Sequence, residues 1–271
     1  MLAAAGTGGG DNSLIGIMTS LGLDSNLKLC LDARDLNSYA GSGQDWLDVS
    51  GAGNGDEFHR GETTGASSDD PTFNGVAGDL LASTYWGLDG GDNFRYGAAN
   101  EPWMENPHKN NAHWAWFAAI YVVACATDNV ILSTRKNGAS TGIRMNLNAS
   151  ERVNMAIGNG TTDIMSYSST TTLTTSRWHF VGHTIDEATG AGGGRYYVNG
   201  ATEATFDATY ASPSAGAASY IMALCGDGDN LYRLENGHRL GVLGFIEGGG
   251  LSEANFDSIY AKLDPIYSFD T

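Results

Sequence analysis

The chain has 271 residues, 41% hydrophobic and 10% aromatic, which supplies a substantial core and excludes a disordered chain. Lys and Arg number 14 against 31 Asp and Glu, a formal net charge of -17, so the average surface repels phosphate backbones and anionic lipid, and nucleic acid is not an expected partner. The same acidity suits divalent-cation binding or adaptation to salt as well as a merely soluble surface. No apolar run approaches the ~20 residues of a membrane-spanning helix, and 38 glycines against 5 prolines point to many tight turns and long loops.

Residues 1–24 divide from the rest. An Ala/Gly stretch over 2–10 cannot hold itself in a core, and the apolar segment 14–23 is interrupted as a helix by Gly16 and Gly22. A frayed terminus is one reading; the other is an extended arm that orders on a neighbouring subunit and attaches the chain to an assembly. The opening MLAAAGTGGG has neither the basic start nor the apolar length of a signal peptide. Cys30, Cys125 and Cys225 each lie in an apolar run, so buried free thiols and folding in a reducing cytoplasm are expected.

The domain proper, residues 25–271, opens with 27–31, whose alternation sets Leu27, Leu29 and Leu31 on one face. Residues 35–70 are polar and glycine-rich and read as long loops with one short strand, anchored by Trp46. The stretch YWGLDGGDNFRY (85–96) reads as a hairpin whose turn gathers Asp89, Asp92 and Asn93, oxygen ligands of the kind calcium needs. That turn is also favoured on local grounds alone, because glycine supplies positive φ and aspartate bonds its own backbone. Residues 101–116 combine Trp103, Trp114 and Trp116 with His108 and His113. Trp114 and Trp116 alternate into an apolar strand and read as core or sheet-face residues, whereas Trp103, between Pro102 and Pro107, reads as an exposed loop aromatic. Pro107 and the loop-like composition deny His108 and His113 a helical zinc spacing. His179 and His183, four strand residues apart, are separated by roughly 13 Å and cannot share an ion.

From 129 to 175 strand-like runs alternate with turns, including Asn137-Gly138 and Asn159-Gly160, as an antiparallel meander in a sandwich of hairpins would. The Ser/Thr run 166–176 reads as an exposed strand or loop. Residues 178–185 set Trp178, Phe180 and Thr184 on one face and His179, Val181, His183 and Ile185 on the other, a two-sided strand inside a packed sheet. The runs 195–198 and 201–206 flank Asn199-Gly200, the pair that most readily forms a type I′ turn. Residues 219–226 read as a buried strand, and Asp227-Gly228-Asp229-Asn230 as a second acidic turn. Ser252 reads as an N-cap with Glu253 at the positive end of a helix that carries Phe256, Ile259, Tyr260 and Leu263 inward and stops at Asp264-Pro265.

A tryptophan-led strand, a loop and a strand ending in Tyr197-Val198-Asn199-Gly200 resemble the middle of laminin-G-like domains of the concanavalin A-like jelly-roll superfamily. The opening of those domains is similar at Asp32-Ala33, Trp46, Asp48, Ser50-Gly51 and Asn54-Gly55, and their last strand and helix at 238–263, entered through Leu251-Ser252-Glu253. The resemblance implies an all-β, two-sheet antiparallel jelly-roll sandwich with a short C-terminal helix, preceded here by the extended N-terminal arm. Glucanases of this fold resemble one another in a strand with Glu, Asp and Glu at alternate positions. This chain lacks that triplet, and it lacks G-x-S-x-G, H-E-x-x-H and G-x-x-x-x-G-K, so a non-enzymatic binding or structural role is expected.

The organisation also looks similar to structural proteins of tailed bacteriophages, in which such domains decorate heads or form tail appendages. That implies a virion protein made in the host cytoplasm, oligomeric in the assembly, with other virion proteins as partners through residues 1–24 and cell-surface glycans as weak, multivalent ligands. A secreted or cell-surface carbohydrate-binding module is the alternative, and a glycoside hydrolase ranks after both. The candidate glycan residues are Trp103, Trp86 and Asp92, since an aromatic ring stacks on a sugar face while a carboxylate takes its hydroxyls. Calcium at Asp89, Asp92 and Asn93 is the one cofactor the sequence suggests.

Overall fold

The computed structural model describes residues 12–52, 57–229 and 231–270. In chain order the strands are β1 (Leu27–Asp32), β2 (Asp45–Leu47), β3 (Glu57–Arg60), β4 (Thr72–Asn74), β5 (Tyr85–Gly87), β6 (Phe94–Tyr96), β7 (His113–Val122) and β8 (Asn129–Ser133). They continue as β9 (Thr141–Leu147), β10 (Val153–Asn159), β11 (Asp163–Ser168), β12 (Arg177–Asp186), β13 (Gly194–Val198), β14 (Ala201–Phe206), β15 (Ala223–Leu224) and β16 (Arg239–Glu247). Three helices accompany them: α1 (Leu14–Ser20), α2 (Pro102–Glu105) and α3 (Glu253–Tyr267).

The strands form two antiparallel eight-stranded sheets, the first in the order β14-β13-β12-β7-β16-β5-β4 with β1 beside β16, the second in the order β11-β10-β9-β8-β15-β6-β3-β2. The inner faces meet in one core, to which the first sheet gives Trp116, Ile120, Val181 and Phe245 and the second Trp46, Phe94, Met145 and Ile157. A second apolar layer lies on the outer face of the first sheet, where Phe117, Phe180 and Tyr197 pack under Ile17 of α1 and Phe256, Ile259 and Leu263 of α3. That cover explains why β7, HWAWFAAIYV, is apolar almost throughout: a strand buried on both faces has no polar alternation to keep.

The period-two expectation holds in β12 but not throughout β1, where a register shift between Leu27 and Leu29 leaves Leu27 in the outer layer with Cys30 while Leu29 and Leu31 enter the core. Trp178 and Phe180 of β12 enter the outer apolar layer while Val181 and Ile185 enter the core between the sheets. β8 to β11 form a meander, and β13 pairs with β14 across Asn199 (φ 49) and Gly200 (φ 78), the positive pair of a type I′ turn. Gly200 is also required for space, since a Cβ there would stand 2.7 Å from the Tyr260 ring. All three cysteines are buried free thiols.

Other expectations are corrected. Gly16 does not interrupt a helix: α1 runs through it, its first turn held by Ser13 Oγ, which accepts from Gly16 N at 3.2 Å. Leu14, Ile17 and Met18 are fully buried, so tertiary burial outweighs glycine's poor propensity and residues 12–24 dock on their own domain. The rest of the expected arm, residues 1–11, lies outside the described residues, as do Asn54-Gly55 and Asn230. Residues 35–70 supply two short strands rather than one. The 85–96 stretch is not a hairpin, because β5 joins the first sheet and β6 the second, and the acidic turn carries the chain across the sandwich. α3 continues past Pro265 to Tyr267, with Asp264 Oδ1 accepting from Phe269 N at 3.0 Å beyond the left-handed Ser268. Burial of Tyr267 and Phe269 in the outer layer offsets the one backbone bond that proline removes.

Between the sheets His183 Nδ1 accepts from Trp116 Nε1 at 2.5 Å, so the imidazole is neutral with its proton on Nε2, and complete burial holds its pKa down at about 3. In the unfolded chain this group takes a proton near pH 6.5. A depressed folded pKa means stability present above that value and lost as pH falls from about 6.5 towards 3, with a slope approaching ~1.4 kcal/mol per pH unit. Asp92 and other buried groups titrate over the same range, so the loss is expected as the difference between the wild-type protein and His183→Gln in denaturant melts from pH 7 to 4.

Candidate functional site

The residues singled out from sequence fall in three kinds of place. Trp86 is fully buried, its ring centroid 4.6 Å from Tyr39, 5.1 Å from Phe94, 5.3 Å from Phe73 and 5.7 Å from Trp46. It offers no face to a sugar, which corrects its assignment. Trp103 is corrected likewise: Pro102 opens the single turn of α2, which lays Trp103 inward against Phe245 at 5.2 Å, with its Nε1 donating to Glu101 Oε2 at 3.1 Å. It is 3% exposed. Trp114 and Trp116 are core residues, as their alternation requires. His108 is buried in the loop after α2, with Nε2 2.9 Å from the Gly216 carbonyl.

Asp89, Asp92 and Asn93 do share one turn, and one oxygen of each aspartate serves the backbone. Asp92 Oδ2 accepts from Asp89 N at 2.8 Å, and Asp89 Oδ1 from Gly91 N at 2.8 Å. Asn93 is fully buried. Burial pushes the Asp92 carboxyl up to about 7; the bond from Asp89 N opposes that rise and the Asp89 charge adds to it. Asp92 is only 2% exposed and shapes the turn from within, so the carboxylate that the turn presents outward is that of Asp89.

That turn forms one wall of a cleft of about 280 Å³, whose other walls are Thr72, Asn74, Tyr85 and Arg239. The strand period explains the aromatic: on β5 Trp86 points into the core, so Tyr85 one residue earlier points out. The Arg239 guanidinium lies 4.6 Å from the Tyr85 ring centroid and 4.3 Å from that of Tyr121, a cation held between two aromatic faces. Arg239 reaches this place because β16 pairs with β5, Arg239 opposite Gly87. A partly exposed aromatic and a guanidinium beside the exposed Asp89 carboxylate and the Asn74 amide can bind a polyol through a C–H face and its hydroxyls. Sequence reasoning missed Tyr85 by one residue of strand phase and missed Arg239 because its pairing is long-range; the alternation within YWG was the available signal for Tyr85.

A second polar group unforeseen in the sequence lies on the outer face of the second sheet. There Asp45 stands opposite His59 and His59 opposite Arg95. His59, Arg95 and Gly97 border a cavity of about 450 Å³.

Residues 104–231 match a family model, Laminin_G_3, described as the concanavalin A-like lectin/glucanases superfamily. No curated protein matches the chain. Among solved structures, botulinum neurotoxin type C, whose cell entry depends on interaction with two ganglioside molecules, is similar at a TM-score of 0.62 and 12% identity over 90% of this chain and 53% of that one. The binding domain of botulinum neurotoxin DC in complex with rat synaptotagmin II is similar at 0.61 and 12% identity over 89% and 52%. The chain thus spans about half the length of these toxin structures. Domain 4 of AbnA, a GH43 extracellular arabinanase from Geobacillus stearothermophilus, in complex with arabinotriose, is similar at 0.53 and 13% identity over 87% of this chain and 98% of that one. At these identities the likeness is one of fold: the two sheets described above have the concanavalin A-like jelly-roll architecture, and residues 104–231 carry the laminin-G-like match.

Proposed function

We propose that the chain is a non-enzymatic glycan-binding module, displayed in many copies as a structural protein of a virion, head decoration or tail appendage. The observation that carries the binding reading is the cleft in which Tyr85 and Arg239 stand beside Asp89 and Asp92. Its fold neighbours include a ganglioside-dependent toxin and an arabinotriose-bound domain. The display reading draws support from the buried free thiols, which suit folding in a reducing compartment, and from the Ala/Gly segment ahead of α1 as the attachment. One such shallow site reaches roughly millimolar affinity, about 4 kcal/mol, and many copies on one particle raise avidity by ~10²–10⁴.

A glycan array probed with the full chain coupled to a multivalent carrier tests the binding. Tyr85→Ala is expected to reduce the signal at least about tenfold, the equivalent of ~1.4 kcal/mol per site, with the melting temperature nearly unchanged. An array blank for the wild-type chain would remove the glycan reading and leave a structural decoration protein. A second reading, a carbohydrate-binding module attached to a larger secreted enzyme, is favoured by the 98% coverage of the arabinanase domain. Detection of the chain in purified particles, or of a hydrolase domain in the same polypeptide, separates the two.

A further inference from the structure

The outer face of the second sheet carries a polar row set by strand register. Asp45, His59, Arg95, Ala223, Ser133 and Arg144 stand opposite one another across β2, β3, β6, β15, β8 and β9. At the β2 end of the row Asp45 Oδ1 lies 2.5 Å from His59 Nδ1. Glu57 shares the outer face of β3 with His59, two residues away, and its Oε1 lies 3.8 Å from His59 Nε2. One ligand atom from each of the three residues lies within 4.8 Å of the others, the one such group of His, Cys and carboxylate side chains among the described residues. Gly97, which is not among the positive-φ residues, faces this group. A Cβ there would stand 2.7 Å from His59 Nε2 and 3.4 Å from Glu57 Oε1, so the lack of a side chain keeps the space beside both atoms open.

We propose that His59 and Glu57 form a binding site for a divalent transition-metal ion of the zinc class, oriented by Asp45 and open to the adjacent cavity. Imidazole and carboxylate bonds to zinc are each about 2.0–2.2 Å, so two ligand atoms on one ion stand no more than ~4 Å apart. The 3.8 Å separation of Nε2 and Oε1 meets that limit as it stands. The 2.5 Å contact on the other side of the ring is too short to admit an ion and is a hydrogen bond. Asp45 therefore accepts from Nδ1–H, which fixes the tautomer and leaves the Nε2 lone pair for the metal. A nitrogen donor in the set disfavours calcium, which takes oxygen ligands, and suits zinc. With two protein ligands the remaining positions belong to water or to an incoming oxygen, and the cavity of about 450 Å³ lined by His59, Arg95, Glu62 and Gly97 is where such a ligand would sit. The site lies on the other sheet from the Tyr85 cleft, and it stands or falls independently of the glycan reading.

The test is calorimetric titration of the chelator-treated full-length protein with zinc chloride, together with the melting temperature at each metal concentration. One ion per chain is expected, with a zinc-dependent rise in melting temperature. His59→Ala and Glu57→Gln are each expected to abolish both signals, and Asp45→Asn to weaken affinity about 10- to 100-fold, as loss of an orienting carboxylate does. Gly97→Ala keeps every ligand but fills the space beside Nε2, and its affinity is expected to fall as well. Metal-free melting of each variant separates loss of binding from loss of fold. Binding of equal strength in His59→Ala, undiminished binding in Gly97→Ala, or no zinc response in the wild-type protein up to millimolar metal would each overturn the proposal.

Discussion

Trp86→Ala is expected to cost about 3–5 kcal/mol of folding stability, measured by urea or guanidinium unfolding, the range found when a buried tryptophan is truncated to a methyl. The indole sits where the two sheets close on each other. Trp46 and Phe94 reach it from the second sheet, Phe73 from its neighbour β4, and Tyr39 from the loop after β1. The Arg60 guanidinium lies 5.4 Å from its ring centroid and closes the rim. Truncation leaves a cavity bordered by several rigid rings, which cannot collapse as aliphatic chains can. Tyr85→Ala, one residue away on the opposite face, removes a partly exposed ring at the edge of the outer layer and leaves the core between the sheets intact. The pair thus divides stability from binding: any fall in glycan signal for Trp86→Ala should follow the unfolded fraction, whereas the fall for Tyr85→Ala should occur in a fully folded protein. A Trp86→Ala variant that melts with the wild-type protein would refute this placement of the core.

What the sequence made legible is what local periodicity and turn chemistry determine. The faces of β12 follow from alternation, the β13–β14 hairpin from Asn199-Gly200, and the entry to α3 from Ser252, whose Oγ accepts from Asn255 N at 3.2 Å. The failures share a physical cause: the deciding contacts are distant in sequence. Nothing local says that α1 will find α3 and the outer face of β1, so Gly16 looked like a break. Nothing in YWGLDGGDNFRY says that its two strands pair with β16 and β3 rather than with each other. Trp103 looked exposed because prolines flank it, yet Pro102 starts the turn that buries it. Of the site residues, Asp89 and Asp92 were identified from turn composition and do line the cleft; Arg239 and the Asp45–His59 pair depend on strand register that only the assembled sheets fix.

Asp32→Ala is expected to destabilise the protein by about 3–5 kcal/mol, the cost of leaving a buried charge without its partner. Both members of the Asp32–Arg34 pair have fully buried side chains, and Arg34 Nη2 lies 2.8 Å from Asp32 Oδ2. Oδ1 accepts from Arg34 Nε and from its backbone N, each at 2.9 Å, and Oδ2 also accepts from Leu14 N at 2.8 Å, a free donor at the start of α1. The Arg34 guanidinium in turn lies 5.2 Å from the ring centroid of Tyr267 at the end of α3, and its Nη2 donates to the Asn12 carbonyl at 3.3 Å. One carboxylate therefore ties β1 to both helices that cover the first sheet. Its removal strands a guanidinium in an apolar layer and takes away the acceptor for Leu14 N. The loss should be largest locally, with faster amide exchange in α1 than in β7. Asp32→Asn retains an acceptor but not the charge and should fall between wild type and Asp32→Ala. The double variant Asp32→Ala, Arg34→Met should recover part of the loss, because replacing a buried pair with apolar groups is far less costly than breaking it. A double variant no more stable than Asp32→Ala would show that the stranded guanidinium is not the source of the cost.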